Sequence, residues 1–168
     1  AADGPDALPW GAAVLAGNLP GLALQALLPA LLVGRPLLIK SARDEPLFAA
    51  ALAAALGAAE PALRDVFAAV AYAGDDEERN SAALGGADRV VAYGGAEAIG
   101  ALAASLGERL IAHGPKASVA LIGRDVDPVG VSRALARDVA LYDQRGCLSV
   151  HAIYTDGEAV ELGEALAW

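Results

Sequence analysis

One cysteine, Cys147, gives the chain a thiol within a polar segment, residues 143–149. Gly146 stands directly before it and Arg145 one position earlier. Glycine lets another molecule approach the backbone closely, and a nearby arginine favours the thiolate, which is the nucleophilic form of cysteine. The segment is therefore a candidate for covalent catalysis. A free cysteine is also a common buried core residue, so a structural role for Cys147 stays open.

Asn18 lies in residues 17–21, between an apolar stretch and a predicted helix. An asparagine amide can donate a hydrogen bond to the oxyanion that forms during acyl transfer. Asparagine is also common in turns because it tolerates left-handed backbone. Both a catalytic and a turn-forming role are compatible with this position.

The predicted strand 36–40 ends at Lys40, and the polar residue Ser41 and the basic residue Arg43 come after it. Ligands of open α/β sheets bind outside the carboxyl ends of the strands, which is where these side chains are expected. A lysine there can hold a ribose hydroxyl or a phosphate, and an arginine can hold a 2′-phosphate. A solvated strand end would give the same pattern.

Gly94 and Gly95 follow another predicted strand and open a helix. Bare backbone at a helix N-terminus is a ready phosphate site, although the full glycine fingerprint of dinucleotide-binding folds is missing here. His113 and His151 are isolated in the sequence, and structural roles are favoured for both. With a single cysteine, neither an internal disulfide nor a multi-cysteine zinc site is expected, and no metal site is predicted.

Short apolar runs alternate with helical segments along the chain. The predicted strands are 36–40, 66–72, 89–93, 109–112, 118–122 and 148–155, and the predicted helices are 22–33, 47–56, 75–84, 96–106, 127–142 and 158–166. Pro46 is predicted to start a helix, and Gly34 and Gly57 to stop one. This alternation predicts an α/β fold with a parallel sheet and helices on both faces.

The composition narrows the function. The 168 residues carry a net charge of −9, which argues against binding to nucleic acid or to an anionic membrane surface. The longest apolar stretch, 22–33, is shorter than the about 20 residues of a transmembrane helix. Residues 1–10 do not read as a signal segment. A soluble cytoplasmic protein without a membrane span is therefore expected.

Five motifs in this order resemble the aldehyde dehydrogenase superfamily, most closely its LuxC-like acyl-CoA reductase branch. They are AGNLPG (16–21), LLIKSARDEP (37–46), ADRVVAYGG (87–95), HGPKASVALIGRD (113–125) and ARDVALYDQRGCLS (136–149). Members of the family are longer at both ends. The resemblance therefore implies a Rossmann-like nicotinamide cofactor-binding domain over residues 1–122 and the start of a catalytic domain over 123–168. The chain alone is expected to be inactive.

The resemblance also implies roles for single residues. Cys147 takes the place of the nucleophile that receives the acyl group as a thioester, and Asn18 that of the side-chain oxyanion donor. Lys40 matches the lysine at the adenine ribose, with Ser41 beside it. Gly94 and Gly95 match the turn at the adenosine and pyrophosphate. Arg43 stands where NAD-preferring relatives often carry an acid, which favours NADPH over NADH.

One departure from the family pattern bears on the reaction. Hydrolytic aldehyde dehydrogenases carry a glutamate base in the region that reads IAHGPK here, residues 111–116. Without a base to activate water, an acyl thioester is better protected from hydrolysis. His113 could replace the base, but its structural role is favoured. The expected reaction is the reduction of a fatty acyl-CoA, or of an enzyme-bound acyl thioester, to the aldehyde.

The expected partners are acyl-CoA or an acyl-carrier or acyl-transfer protein, and the full-length enzyme is expected to form a homo-oligomer. Two alternatives stay open. One is an acylating short-chain aldehyde dehydrogenase or an acyl-phosphate reductase, which would share the cysteine and the cofactor domain. The other is a non-catalytic nucleotide-binding α/β module, in which Cys147 would be an inert structural thiol.

Overall fold

Five parallel strands form the central sheet of a computed structural model, which describes residues 9–167. They are β1 (Gly11–Val14), β2 (Leu37–Ser41), β3 (Phe67–Ala71), β4 (Arg89–Tyr93) and β5 (Leu110–His113). Their spatial order, β3-β2-β1-β4-β5, is that of the doubly wound dinucleotide-binding folds. The predicted parallel α/β sheet is confirmed.

Helices cover both faces of this sheet. They are α1 (Leu22–Leu32), α2 (Phe48–Ala59), α3 (Glu77–Leu84) and α4 (Ala96–Leu106). Side chains alternate between the faces along each strand, so Ala13 and Ile39 lie in one buried cluster with residues of α1 and α2. Ala12 and Val90 lie in a second cluster, with Leu84 of α3 and Leu106 of α4.

The central strand β1 is not among the strands that the sequence pattern predicts. It is only four residues long, GAAV, and small side chains give no alternating pattern. Its small residues suit a strand that is covered on both faces and paired on both edges, with β2 on one side and β4 on the other. Residues 1–8, most of the predicted N-terminal lead-in, lie outside the described residues.

A second compact unit, Pro115–Trp168, follows the first, Ala1–Gly114. It contains the parallel pair β6 (Ser118–Ile122) and β7 (Val150–Thr155) and two helices, α5 (Pro128–Ala140) and α6 (Ala159–Leu166). The sequence places the domain boundary after Ile122, whereas the compact units divide after Gly114, because β6 pairs with β7. The functions assigned to the two parts stay predictions.

Two glycines, Gly34 and Gly57, are predicted to end helices, and the structure shows where each one lies. Gly34 ends α1 as predicted: its φ is +66°, and Arg35 N–H donates to the Ala30 carbonyl, as in a Schellman motif. Gly57 does not end α2, which continues to Ala59. This glycine is buried instead, and a β-carbon on it would lie 3.4 Å from the Arg64 Cα. Gly57 thus permits close packing rather than a turn.

Two further helix boundaries differ from the prediction. Leu47 is the N-cap of α2 and Phe48 its first residue, so Pro46 lies before the helix rather than at its first position. Helix α5 ends at Ala140, because Tyr142 and Asp143 have left-handed backbone. Within residues 9–167, no helix is long and apolar enough to cross a bilayer.

Gly34→Ala is expected to destabilise the protein by about 1–2 kcal/mol, because a β-carbon is unfavourable at positive φ. Gly100→Ala is the matched control. Gly100 lies inside α4 with open space around its Cα, so alanine there is expected to stabilise by about 0.4–1 kcal/mol. Urea unfolding followed by circular dichroism measures both. Equal effects of the two substitutions would contradict the helix-end assignment.

Candidate functional site

The first unit has a topological switch point between β1 and β4, the two neighbouring strands at the middle of the sheet. The chain leaves β1 for α1 and leaves β4 for α4, and these helices belong to opposite faces. Such a divergence opens a crevice outside the carboxyl ends of the strands, where doubly wound folds bind ligands. Asn18 follows β1, and Gly94 and Gly95 follow β4. Lys40 lies near the end of the adjacent strand β2.

Asn18 is half-buried in a turn that packs against the loop after β2. A β-carbon on Gly17 would lie 3.1 Å from the Ala42 Cβ and 3.2 Å from the Asp44 Cβ. The backbone is also tied to β2, since Leu15 N–H donates to the Lys40 carbonyl at 3.0 Å. The glycine therefore lets the Asn18 turn lie directly against the loop that carries Arg43.

Lys40 is only 6% exposed, an unusual position for an ammonium group. The ring centroid of Tyr72 lies 5.2 Å from its Nζ. Burial lowers the pKa of Lys40, the charge of Arg43 lowers it further, and Asp75 acts in the opposite direction. None of the ion pairs found among residues 9–167 includes Lys40. The site therefore holds a buried cation close to a second cation, an arrangement suited to an anionic ligand.

Ser41 is 1% exposed, and its Oγ has no hydrogen-bond partner among the described residues. Alternation along β2 puts its side chain on the same face as Ile39, whereas Lys40 lies on the opposite face. Of the predicted cofactor-binding residues on β2, the structure thus puts Ser41 and Lys40 on different faces of the sheet.

Arg43 is exposed in the loop after β2, and no ion pair found among residues 9–167 includes it. Gly95 is the N-cap of α4, and no side chain caps that helix. A β-carbon on Gly95 would meet no atom within 4 Å. With no side-chain cap, the first N–H groups of α4 are left without a side-chain acceptor, as a phosphate site at a helix N-terminus requires.

Two aromatic residues at this edge are not singled out by the sequence pattern. Tyr72 follows β3 beside Lys40, and its hydroxyl is buried with no hydrogen-bond partner among the described residues. Tyr93 ends β4, and its ring stacks on that of His113, with centroids 4.8 Å apart. The stack gives His113 a structural contact. Each of these tyrosines is the last residue of a predicted strand, and this position is the sequence signal that could have marked them as site residues.

Cys147 belongs to the second unit, whereas the other predicted site residues belong to the first. It is exposed in a turn that Ser149 N–H closes by donating to the Gly146 carbonyl at 3.1 Å. The Ser118 hydroxyl, at the start of β6, donates to the Cys147 carbonyl at 3.0 Å. Cys147 is therefore exposed, whereas the structural alternative expects a buried thiol.

The backbone before Cys147 is unusual. Tyr142, Asp143 and Gln144 have φ values of 57°, 53° and 57°, which non-glycine residues rarely adopt. The Gln144 amide donates to the Val150 carbonyl at 3.2 Å and so ties this left-handed run to β7. The Arg145 Nε lies 3.9 Å from an Asp143 carboxylate oxygen, and both side chains are largely exposed.

The family model described as acyl-CoA reductase (LuxC) matches residues 7–167. The chain belongs to this family. Among its relatives is long-chain acyl-protein thioester reductase 2 of Photobacterium leiognathi, which is 29% identical over 163 residues. That match covers 93% of this chain and 34% of the relative. The LuxC membership confirms the resemblance stated from the five motifs.

Aldehyde dehydrogenases share the fold of this LuxC chain. One from Mycobacterium tuberculosis, complexed with NAD+, has a TM-score of 0.79 at 23% identity, covering 95% of this chain and 34% of its own. The glyceraldehyde-3-phosphate dehydrogenase GapN of Methanocaldococcus jannaschii, complexed with NADP, has a TM-score of 0.78 at 18% identity, covering 94% and 36%. The chain thus spans about a third of the length of the proteins it matches.

Lys40→Met is expected to raise the free energy of unfolding by about 0.5–2 kcal/mol at pH 7, because it removes a desolvated charge. The pKa of Lys40 is lowered in the folded state from 10.5. Between the lowered value and 10.5 the folded wild type binds fewer protons than the unfolded chain, so its stability rises with pH. The advantage of the variant should therefore shrink as the pH approaches 10.5.

Urea unfolding at several pH values between 7 and 10.5 measures this difference. Lys116→Met is the control, because Lys116 is exposed. It should change stability little at any pH. A Lys40→Met advantage that is absent at pH 7, or that grows with pH, would contradict the assignment of Lys40 as a buried cation.

Proposed function

We propose that this chain carries the cofactor-binding residues and the nucleophile of an NADPH-dependent reductase that converts a long-chain acyl thioester to the aldehyde. The observation that carries the proposal is the arrangement of Asn18, Lys40 and Gly94 at the carboxyl edge of a doubly wound sheet, in a member of the LuxC family. Because the chain spans about a third of its relatives, the activity is proposed for the full-length protein.

The residues at the switch point fit a nicotinamide dinucleotide. Lys40 offers a buried ammonium, outside the ion pairs of the described residues, for the adenine ribose, and Gly94 and Gly95 lead into an uncapped helix for the pyrophosphate. Of the two proteins of similar fold, the aldehyde dehydrogenase is complexed with NAD+ and the glyceraldehyde-3-phosphate dehydrogenase with NADP. When bound, the cofactor supplies a hydride to the acyl carbonyl.

Arg43 selects NADPH over NADH in this proposal. It is exposed beside Lys40 and lowers the pKa of that lysine, so the two cations repel each other. A 2′-phosphate on the ribose would relieve this repulsion and accept hydrogen bonds from the guanidinium. A ribose hydroxyl would leave the repulsion in place.

Cys147 is the proposed nucleophile. Its thiolate attacks the acyl carbonyl, and the bond from that carbonyl to the donor sulfur breaks. The donor leaves as a thiolate that takes up a proton from water, and the acyl group stays as a thioester on Cys147. By the family resemblance, the Asn18 amide and the Cys147 backbone N–H are the proposed donors to the oxyanion. The hydrogen bond from the Ser118 hydroxyl to the Cys147 carbonyl restrains the main chain directly after the nucleophile, which supports a fixed position for the thiol.

The fate of the thioester follows from the residues at 111–116, which include no acid. A hydrolytic enzyme needs a base there to activate water, and this chain offers His113, which stacks on Tyr93. Reduction therefore competes well with hydrolysis. The relatives named as long-chain acyl-protein thioester reductases support an acyl group delivered as a thioester on a protein, with acyl-CoA as the second donor class. We place the reaction in the cytoplasm.

Cys147→Ala in the full-length protein is expected to abolish covalent labelling by radiolabelled long-chain acyl-CoA. The label on the wild type should survive denaturation, which shows that it is covalent. In a separate sample of native protein, NADPH should release the label as aldehyde. Leu148→Ala is the matched control, because Leu148 is the exposed neighbour in the same turn, at 80% exposure. Equal labelling of wild type and Cys147→Ala, or no labelling of either, would favour the nucleotide-binding module instead.

Arg43→Ala is expected to raise the KM for NADPH about 10–100-fold, the loss that follows removal of one or two charge-assisted hydrogen bonds. The KM for NADH should change little. Steady-state kinetics of aldehyde formation with each cofactor measures this ratio. Arg133→Ala, at an exposed position of α5, should leave both values unchanged. An equal loss with both cofactors would show that Arg43 does not read the 2′-phosphate.

A further inference from the structure

Tyr72 lies over the ammonium of Lys40 at the carboxyl edge of the sheet. β2 and β3 pair in register with Lys40 opposite Val70, so Tyr72, two positions after Val70, lies on the same face as Lys40. The Lys40 Nζ is 5.2 Å from the centroid of the Tyr72 ring, within the range of a cation–π interaction. A β-carbon on Gly74 would lie 3.8 Å from the same Nζ, so the loop after β3 covers this group.

We propose that Tyr72 is a positioning residue of the cofactor site: its ring holds the Lys40 ammonium in the charged form and in place for the adenosine half of the cofactor. The inference rests on the proposed function, because it assigns Lys40 to that cofactor. Tyr72 does not contact reacting atoms, and it acts through Lys40.

Lys40 needs such a partner because it is only 6% exposed, and burial disfavours its charged form. The ionic groups that act on it come from two loops: Arg43, after β2, opposes its charge, and Asp75, after β3, supports it. The net effect of burial and these charges lowers the pKa of Lys40. The negative face of an aromatic ring opposes that effect, and its contribution grows when water is excluded.

The ring, rather than the hydroxyl, carries this role. The Tyr72 hydroxyl has no hydrogen-bond partner among the described residues, and burial together with Asp76 raises its pKa, so it stays neutral. It supplies no negative charge to Lys40. Phenylalanine should therefore replace Tyr72, whereas leucine, which is apolar and has no quadrupole, should not.

Amine labelling tests the coupling between Tyr72 and Lys40 directly. The chain has only two lysines, Lys40 and Lys116, so mass spectrometry after acetic anhydride treatment reports each one separately. Lys116 is exposed and serves as the internal reference. Tyr72→Leu should shift the pH midpoint of Lys40 labelling downward by about 0.5–1.5 pH units, as expected for loss of a desolvated cation–π contact. Tyr72→Phe should leave the midpoint unchanged.

Cofactor affinity is the second readout. In the full-length protein, Tyr72→Leu should weaken NADPH binding about 5–30-fold by fluorescence titration, whereas Tyr72→Phe should bind as the wild type does. Tyr154→Leu, at an exposed position of β7, is the control and should change neither readout. Circular dichroism checks that each variant is folded. Tyr72→Met replaces Tyr72→Leu if the latter does not fold.

The outcomes separate the inference from the proposed function. A wild type that binds NADPH, with both readouts unchanged in Tyr72→Leu, overturns the role of Tyr72 and leaves the cofactor assignment standing. Equal losses in Tyr72→Phe and Tyr72→Leu overturn the role of the ring. If the wild type binds no NADPH and NADPH does not protect Lys40 from labelling, the proposed function falls, and with it the assignment of Tyr72 to a cofactor site.

Discussion

The four-residue strand β1 is the constraint on which the first unit depends. It pairs with β2 on one edge and with β4 on the other, and Ala12 and Ala13 are buried on opposite faces. Larger side chains on β1 would push the helices away from the sheet. The small residues of β1 therefore allow the helices on both faces to pack close to the middle of the sheet. Because β1 pairs in parallel with both β2 and β4, the loops that follow these three strands emerge along one edge.

Lys40 shows how that edge is used. An ammonium buried near the end of a strand opposes folding, and the proposed cofactor site would give this charge a role in binding. Three surrounding groups act on this charge, since the ring of Tyr72 faces it, Asp75 supports it, and Arg43 opposes it. The repulsion between Lys40 and Arg43 is acceptable if an anionic ligand joins them. Under the proposed function, the side chain of Lys40 would link the stability of the fold to its affinity for the cofactor.

Much of the fold could be predicted from the sequence, because apolar strands and the ends of helices have local signals. Strand β4, helix α4 and strand β6 begin and end where predicted, and Gly34 ends α1 through its positive φ. Strand β1 could not be predicted, since small residues carry no periodicity, and the prediction for Gly57 was wrong, since close packing and helix termination both favour glycine. The contact of Tyr72 with Lys40 joins residues that are far apart in the sequence, so no local pattern indicates it.

The left-handed run before Cys147 restricts how this stretch can diverge between related proteins. Tyr142, Asp143 and Gln144 each have a left-handed backbone conformation, which is about 1–2 kcal/mol less favourable than the right-handed one for a residue with a β-carbon. Residues branched at the β-carbon adopt it least readily. Glycine, asparagine and aspartate are the substitutions that such positions accept most readily, and valine, isoleucine and threonine are the least acceptable. The segment leading to the thiol should therefore vary in charge and size more freely than in branching at the β-carbon.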